Sequence, residues 1–299
     1  MPSPGARLRA AWADQPIMIP GAFNALTARL AERLGFAAVY LSGAALAAGW
    51  AALPDIGLLT QTEFAEQAAM LARATTLPLL CDADTGFGAA IHVERTVRLF
   101  EEAGAAGLHL EDQVMPKRCG HLTGKSLIEP AAMAAKIRAA VAARRDRDFV
   151  VVARTDARSV EGFDAAVARA HSYLAAGADM IFPEALESAD EFARFPELVQ
   201  APLLANMTEF GRSPLLDFPD LARMGYRAVL YPVTTLRAAM HAVRETLVHL
   251  RDHGSQRELV GRLQSRAELY DLLGYTQWET RDRAYFDDSS AQEPSPLHP

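Results

Sequence analysis

The sequence predicts an α/β fold, a (β/α)8 TIM barrel with extra helices at its C-terminal end. Eight short, continuous apolar runs recur along the 299 residues, and helical spacing of apolar residues follows them. Strands buried on both faces of a parallel sheet give such runs, and their alternation with helices is typical of this barrel. No break in composition divides the chain. A doubly wound open sheet and two smaller domains are therefore less favoured.

The eight apolar runs are predicted to be the strands of the barrel. Their continuity, in place of an alternation of apolar and polar residues, indicates that both faces of each strand are buried. In chain order the predicted strands are PIMIP (16–20), FAAVYLS (36–42), LPLLCDAD (77–84), AGLHLED (106–112), FVVVART (149–155), ADMIFPE (178–184), PLLAN (202–206) and YRAVLYP (226–232).

The segments between these runs are predicted to be helices. TQTE at 60–63 is a capping box, which marks a helix start. Apolar residues at helical spacing mark five helices: Phe64, Ala68 and Leu71; Val93, Val97 and Phe100; Met133, Ile137 and Val141; Phe163, Val167 and Leu174; Leu236, Met240, Val243 and Leu247. Glycine is typical just after a helix terminus, and four glycines precede predicted strands: Gly35, Gly104, Gly177 and Gly225.

We expect residues 1–299 to form a single barrel domain. Residues at about 113–129 have no strong period and contain three Gly or Pro residues, which indicates a long loop that acts as a lid over the fourth strand end. Residues at about 255–286 are predicted to be a C-terminal helical extension. The polar, proline-rich residues at about 287–299 are predicted to be a disordered tail.

Composition argues against several classes of partner and location. The net charge is −7 and the basic residues are dispersed, so no nucleic-acid partner is expected. No apolar run reaches the roughly 18 residues of a membrane span, and the N-terminus lacks the apolar core of a signal peptide. Two cysteines, Cys81 and Cys119, cannot make a disulfide framework. A reducing cytoplasm, where thiols stay free, is the expected compartment.

Polar side chains follow most of the predicted strands at their carboxyl ends, where barrels carry their chemistry. Burying such groups is costly unless they are paired or bind a ligand, so a shared site explains them better than separate structural roles. The residues are Asn24, Ser42, Asp82, Asp84, Glu111, Asp112, Arg154, Asp156, Glu184, Asn206 and Thr208.

Asp82 and Asp84 are candidate metal ligands. They lie two residues apart in an extended segment, so both carboxylates face the same side. Hard oxygen ligands without a nearby His or Cys suit Mg²⁺ or Mn²⁺. A pair of turn-capping aspartates would give the same spacing, but Glu111 on the neighbouring strand favours the metal.

Two arginines stand in positions that a surface role does not explain. Arg237 is predicted in the first turn of a helix, where a cation opposes the helix dipole. Arg266 falls on an apolar stripe, although a stripe-edge arginine that reaches solvent would give the same pattern. With Arg154, these residues could hold two or three substrate carboxylates by bidentate hydrogen bonds.

Cys119 stands in a charged loop, between Lys117-Arg118 and Gly120-His121, and is the candidate catalytic thiol. Nearby cations are expected to lower its pKa and ease proton exchange. Cys81 lies inside an apolar strand and is interpreted as packing, and two ligands are too few for zinc. A divalent metal, a carboxylate-binding cradle and a thiol together suit cleavage of a carbon–carbon bond in a hydroxy-polycarboxylate.

The motif KRCGH at 117–121 resembles the signature of the isocitrate lyase and phosphoenolpyruvate mutase superfamily. The similarity continues, over nearly the whole chain, through YLSGA, DADTGFG, GLHLEDQ, ARTDA, MIFPEA, NMTEFG and LYP. The resemblance implies a Mg²⁺-dependent barrel, usually a homotetramer whose last helix is swapped onto a neighbouring subunit. It also implies cleavage of the hydroxy-tricarboxylate 2-methylisocitrate to pyruvate and succinate, in the methylcitrate cycle of propionate catabolism.

The resemblance implies roles for individual residues. Asp82 and Asp84 would serve the Mg²⁺, with Glu111 further from the ion. Cys119 would be the acid that protonates the succinate aci-anion, and Tyr40 is a candidate for handling the hydroxyl proton. The residues implied to contact substrate are Ser42, Gly43, Ala44, Cys119, Gly120, Arg154, Glu184, Asn206, Met207, Thr208, Arg237 and Arg266.

The chain departs from the superfamily pattern after the second strand. Relatives usually have SGGG where this chain has SGAA, and the methyl groups of Ala44 and Ala45 are expected near the variable part of the substrate. Isocitrate, dimethylmalate and oxaloacetate are therefore alternative substrates. Phosphorus–carbon bond chemistry on phosphoenolpyruvate and a barrel that binds without catalysis also stay open.

Overall fold

The computed structural model describes residues 2–286. They form two compact units, one ending at Arg237 and the other beginning at Ala238. The predicted tail at 287–299 lies outside the described residues. None of the helices within residues 2–286 is both long and apolar enough to cross a lipid bilayer.

Strands and helices alternate along the first unit, and each predicted strand is present inside its predicted range. The strands are β1 (Ile17–Pro20), β2 (Val39–Leu41), β3 (Leu79–Asp82), β4 (Gly107–Glu111), β5 (Val150–Thr155), β6 (Met180–Pro183), β7 (Leu204–Asn206) and β8 (Ala228–Tyr231). The α-helices are α1 (Pro4–Ala13), α2 (Ala25–Arg33), α3 (Gly43–Ala51), α4 (Gln61–Ala74), α5 (Ala90–Glu102), α6 (Pro130–Ala143), α7 (Phe163–Ala175), α8 (Ala189–Leu198), α9 (Phe218–Met224) and α10 (Thr234–His253).

The eight strands close into a parallel barrel, as predicted. Strands β2 to β6 pair in chain order, and β8 pairs with both β7 and β1. Two bridges join these groups, between Gly21 and Tyr40 and between Ile181 and Leu203. Since neighbours along the chain are neighbours in the barrel, all eight carboxyl ends lie at one mouth.

An unpredicted helix, α1, closes the opposite end of the barrel. Leu8 and Trp12 of α1 are buried in the cluster that fills the interior. The Nε of Arg9 donates to the backbone oxygen of Asp148 at 2.8 Å, and its Nη2 pairs with Asp179 at 2.8 Å. Both partners precede strands β5 and β6, so α1 covers the amino ends and leaves the carboxyl ends for a site.

The second core lies between the strands and the helices around them. Phe64 of α4 and Phe100 of α5 are fully buried there, which agrees with the predicted apolar stripes. Thr60 and Glu63 form the predicted capping box of α4. The four predicted helix-terminal glycines all have positive φ, which glycine adopts without strain. Helix α3 was not predicted.

The second unit continues α10 and adds a 3₁₀ helix (Arg257–Arg262), α11 (Arg266–Leu273) and α12 (Tyr275–Ala284). The spacing at 236–247 correctly marks α10, but Met240, Val243 and Leu247 are exposed. The continuous stripe expected around Arg266 is wrong. The helical path breaks after Arg262 and restarts at the Ser265 cap, so Arg266 lies in a first turn, exposed.

Gly21 at the β1–β2 bridge should not tolerate a side chain. A Cβ there would overlap the carbonyl oxygen of Pro232, which is backbone and cannot turn away. We expect Gly21→Ala to lower the free energy of unfolding by about 1–3 kcal/mol. Urea unfolding followed by circular dichroism measures this. Gly261→Ala is the control, because no atom lies within 4 Å of its added Cβ. Equal stability of the two variants would contradict the tight closure.

Candidate active site

The start of α3 approaches Asp82 at the mouth of the barrel. The backbone N–H of Gly43 donates to Oδ2 of Asp82 at 3.0 Å, and that of Asp84 donates to Oδ1 at 2.9 Å. Helix α3 begins here because Ser42 caps it, with its Oγ accepting from the N–H of Ala45 at 3.2 Å. A Cβ on Gly43 would lie 2.8 Å from the Asp82 carboxylate, so this approach requires glycine.

Lys117 supplies the counter-charge of Asp84. Its Nζ lies 2.9 Å from Oδ1 of Asp84 and also pairs with Asp55. Burial alone would lower the pKa of Lys117, but Asp84 and Glu111 hold that pKa well above its ordinary value. In the sequence, Lys117 stands out only as a charged neighbour of Cys119. Asp55 was missed, because no motif marks it.

Asp82 and Asp84 have opposite pKa shifts although they share a site. Burial alone would raise the pKa of Asp82, but His109, Lys117 and Arg154 outweigh it and lower that pKa to about 2. Burial raises the pKa of Asp84 to about 6, although Lys117 opposes the shift. An additional positive charge would therefore stabilise the ionised form of Asp84 more than that of Asp82.

Arg154 at the end of β5 is gripped by protein carboxylates. It forms a bidentate pair with Asp156, with Nε at 3.0 Å and Nη2 at 3.2 Å from the two oxygens. Glu111 lies 3.4 Å from its Nη1 and Glu184 lies 3.5 Å from its Nη2, and the guanidinium stacks on Phe182 at 5.2 Å from the ring centre. The guanidinium of Arg154 is thus held in place by the protein's own side chains.

The carboxylates at the mouth fit a hard dication. The Oε1 of Glu111 is buried without a hydrogen-bond partner in the described chain, and burial raises the pKa of Glu111 well above its ordinary value. Residues 2–286 contain no group of three His, Cys, Asp or Glu side chains placed to hold a metal together. Buried carboxylates of this kind suit an ion such as Mg²⁺, which is bound by one or two carboxylates and keeps several waters.

Strand β7 brings Asn206 to Glu184, with Nδ2 donating to Oε2 at 3.1 Å. The Oδ1 of Asn206 is buried and has no hydrogen-bond partner among the described residues, so it can accept from a ligand. Thr208 is half-buried beside it. The side chain of Met207 packs in the core, where its sulfur accepts from the N–H of Leu216 at 3.3 Å.

The two remaining predicted arginines belong to different units. Arg237 lies in the first turn of α10, as predicted, and its Nη1 donates to the backbone oxygen of Glu209 at 2.6 Å. Its guanidinium also covers the ring of Phe210, 5.1 Å from the centre. These contacts bring Arg237 to the loop that follows Thr208. Arg266 is exposed in the second unit.

The predicted lid, residues 113–129, is a loop whose arms pair with each other. Gln113 forms an antiparallel bridge with Leu127, and the N–H of Val114 donates to the oxygen of Ser126 at 2.8 Å. The tip of this loop therefore projects as a unit between β4 and α6.

The tip of the lid rests on the strand-end charges. A Cβ on Gly120 would overlap both Glu184 and Arg154, so the backbone lies directly against them. His121 Nε2 lies 3.3 Å from Oε1 of Glu184, while its Nδ1 accepts from the N–H of Arg212 at 3.0 Å. The tip of the predicted lid thus lies over the strand ends at the mouth.

Cys119 is half-buried within this loop. Burial raises the pKa of its thiol, and the carboxylates of Glu184 and Asp55 add to the shift. The expectation of a lowered pKa is wrong, because these two acids face the thiol and the loop shields it from water. A thiol that keeps its proton suits an acid better than a nucleophile.

A buried pair inside the barrel, Tyr40 and His109, was only half predicted. The Tyr40 hydroxyl lies 2.7 Å from Nε2 of His109 and 3.3 Å from Oδ2 of Asp82. Burial raises the pKa of Tyr40 well above its ordinary value and lowers the pKa of His109 to about 4. His109 could have been found, because it lies two residues before Glu111 and so faces the same side of β4.

Two of the strand-end polar residues are not part of this cluster. Asp112 points behind the strands, where it accepts from the hydroxyls of Tyr173 at 2.7 Å and Thr155 at 2.8 Å and from the N–H of Asp156 at 2.9 Å. Asn24 caps α2. Both roles are structural. Asp112 directly follows Glu111, and because neighbouring positions on a strand alternate between faces, the two carboxylates point to opposite sides.

Comparison with known proteins agrees with this site. The family model described as phosphoenolpyruvate phosphomutase matches residues 8–251. The chain belongs to the phosphoenolpyruvate mutase family. Two relatives of this family are a 2-methylisocitrate lyase of Aeropyrum pernix, 52% identical over 280 residues (93% of this chain and 90% of that protein), and a probable 2-methylisocitrate lyase of Corynebacterium glutamicum, 54% identical over 269 residues (90% and 88%).

Solved structures of other enzymes are similar to this chain over most of its length. An oxaloacetate acetylhydrolase bound to 3,3-difluorooxalacetate superposes with a TM-score of 0.89 at 36% identity, covering 95% of this chain and 97% of that one. A phosphonopyruvate hydrolase in complex with oxalate and Mg²⁺ gives 0.87 at 34% identity, covering 96% and 100%. These matches agree with the closed eight-strand barrel.

Gly120 should be required for lid closure. We expect Gly120→Ala to lower turnover by about a hundredfold with little loss of stability, because its methyl group would hold the lid off Glu184 and Arg154. Steady-state kinetics and thermal unfolding measure the two effects. Leu122→Ala is the control, since Leu122 is exposed on the same loop. Unchanged turnover in Gly120→Ala would contradict the need for closure.

Proposed function

We propose that this chain is a Mg²⁺-dependent lyase that cleaves the C2–C3 bond of 2-methylisocitrate to pyruvate and succinate, within the methylcitrate cycle of propionate catabolism. The observation that carries the proposal is the tip of the lid, where the backbone of Gly120 lies directly against Glu184 and Arg154 and so brings the neighbouring Cys119, whose thiol pKa is raised by burial, to the strand-end charges. The two relatives at 52% and 54% identity support the choice of substrate.

The metal is proposed to be Mg²⁺, with Mn²⁺ as the alternative, because both accept carboxylate and water oxygens. Asp82 and Asp84 would hold it, with Glu111 further away, and the unpartnered Glu111 oxygen supports this choice. When bound, the ion supplies charge stabilisation for the substrate oxyanion that becomes the ketone of pyruvate.

The chain's own residues would manage the two protons of the reaction. Tyr40 would handle the proton of the substrate hydroxyl, and its contacts with His109 and Asp82 support this role. As the C2–C3 bond breaks, its electron pair passes to the succinate carbon. Cys119 would then donate its proton to that carbon, which its raised pKa allows.

The substrate carboxylates would be held by residues around the mouth. Arg154 supports this role because it is immobilised and buried, so a carboxylate beside it gains a strong charge-assisted hydrogen bond. The further proposed contacts are Ser42, Gly43, Ala44, Gly120, Glu184, Asn206, Met207, Thr208, Arg237 and Arg266. Ala44 is half-buried near Val233 and Leu236, and its methyl group is proposed to limit the substituent at C2.

The second unit is proposed to be swapped between subunits of a homotetramer. No side chain within residues 238–286 is buried in this chain, yet Met240, Val243, Leu247 and Leu250 line one side of α10 at intervals of three and four residues. Such a stripe is stable in water when another helix covers it. The tetramer is proposed to work in the cytoplasm, without nucleic-acid or membrane partners.

A substrate panel tests the function. With Mg²⁺, kcat/KM should be highest for 2-methylisocitrate among 2-methylisocitrate, isocitrate, dimethylmalate and oxaloacetate, measured as keto-acid release coupled to lactate dehydrogenase. EDTA should abolish turnover and Mg²⁺ should restore it. Preference for another member of the panel would contradict the proposed substrate but leave the proposed lyase reaction standing. Absence of metal-dependent turnover on all four would contradict the lyase itself.

The pH dependence tests the acid. Because the thiol pKa is raised above its ordinary value of 9.0, Cys119 stays protonated at neutral pH, and its loss of the proton should lower kcat only beyond pH 9.0. The alkaline limb of the kcat profile measures this, and the residual turnover of Cys119→Ser should lack that limb. A fall in kcat between pH 7 and 8 that Cys119→Ser removes would show a thiol pKa shifted the other way.

A further inference from the structure

The chain uses lysine sparingly and places it at one end of the barrel. Only three of its 30 lysine and arginine residues are lysines: Lys117, Lys125 and Lys136. Lys136 donates to the backbone oxygen of Thr85 at 2.7 Å, just after Asp84. Lys117 pairs with Asp84 and Asp55. All three ammonium groups thus lie at the carboxyl ends of the strands.

Lys125 has no role in the chemistry proposed above, yet its side chain is only 1% exposed. Its Nζ lies 2.7 Å from Oδ1 of Asp156 and also donates to the backbone oxygen of Gly120. An ammonium group is compact and can direct its three donors to partners at different angles, whereas a guanidinium has a planar fork. Lys125 therefore connects the residue after Cys119 to the end of β5.

Asp156 is a fixed anchor for this connection. Its backbone N–H donates to Oδ1 of Asp112 at 2.9 Å, and its carboxylate holds the guanidinium of Arg154. Arginine and lysine thus share one fully buried carboxylate. The carboxylate of Asp156 therefore sets both the orientation of Arg154 and, through Lys125, the position of the lid.

We propose that Lys125 is a positioning residue that latches the lid closed and so holds Cys119 over the mouth. Lys117 and Lys125 bracket the segment that carries Cys119, and each ammonium fastens one end of it to strand-end carboxylates. Opening the lid would separate the ammonium of Lys125 from the carboxylate of Asp156, a buried charge-assisted contact that is costly to lose. The kinetic consequence rests on the proposed lyase function; the latch itself does not.

Alkylation of Cys119 tests the latch without substrate. The chain has two cysteines, and Cys81 is fully buried in β3, so Cys81 reports on unfolding and Cys119 on the lid. Peptide mass spectrometry after timed exposure to iodoacetamide gives both rates. We expect Lys125→Met to raise the Cys119 rate by about tenfold or more and to leave Cys81 unmodified.

Two further variants make the result decisive. Lys125→Arg keeps the charge and should raise the Cys119 rate in the same direction by a smaller factor, because its fork cannot reproduce the geometry. Arg118→Met is the matched control, since Arg118 is a cation of the same loop that is exposed and whose Nη1 donates to the lid oxygen of Thr123 at 3.3 Å. Its alkylation rate should match the wild type.

Turnover gives a second readout. In Lys125→Met, kcat for 2-methylisocitrate should fall by about tenfold or more while KM changes little, because the residue orients the acid and does not contact substrate. Wild-type alkylation of Cys119 in both Lys125 variants would overturn the latch. Equal modification of Cys81 and Cys119 in Lys125→Met would overturn it too, since the lysine would then serve the fold. If the wild type cleaves no 2-methylisocitrate, the function fails and alkylation still judges the latch.

Discussion

Charge balance at the mouth of the barrel is the constraint on which the site depends. Six carboxylates, those of Asp55, Asp82, Asp84, Glu111, Asp156 and Glu184, lie among three cations, those of Lys117, Lys125 and Arg154. Carboxylates buried without partners would take up protons or disrupt the fold. The excess of negative charge that remains favours the binding of a dication. The raised pKa values of Asp84 and Glu111 mark the two carboxylates whose ionised form is least stabilised by the protein.

The same balance explains why the lid closes where it does. Three of its basic residues reach strand-end carboxylates. Lys117 reaches Asp84, Lys125 reaches Asp156, and His121 reaches Glu184, so each contact pairs a lid residue with a strand end. Gly120 then lies flat against Arg154 because it has no side chain. Closure therefore brings Cys119 into a shielded setting in which burial raises its pKa and keeps the proton that the proposed reaction needs.

Much of this could be predicted from the sequence, because local pattern determines it. The eight apolar runs located the strands, and the polar residues at their ends identified Asp82, Asp84, Glu111 and Arg154 as neighbours. What failed depends on distant contacts. Asp55 carries no motif and meets Lys117 only through the fold. The direction of the Cys119 pKa shift depends on burial and on the carboxylates that face the thiol. Its cationic neighbours in sequence predict the opposite direction. The stripe around Arg266 failed because a turn at 263–265 interrupts the helix.

Exchange of succinate protons tests the central claim most directly, because it isolates the step assigned to the lid. Run in reverse, the thiolate form of Cys119 removes a proton from the carbon of succinate that the thiol would protonate in the forward direction. Incubation with succinate, Mg²⁺ and D₂O, followed by proton NMR, should show deuterium entering succinate with the wild-type protein, and Cys119→Ser should show almost none. Undiminished exchange in Cys119→Ser would contradict the account, since another group would then be the acid.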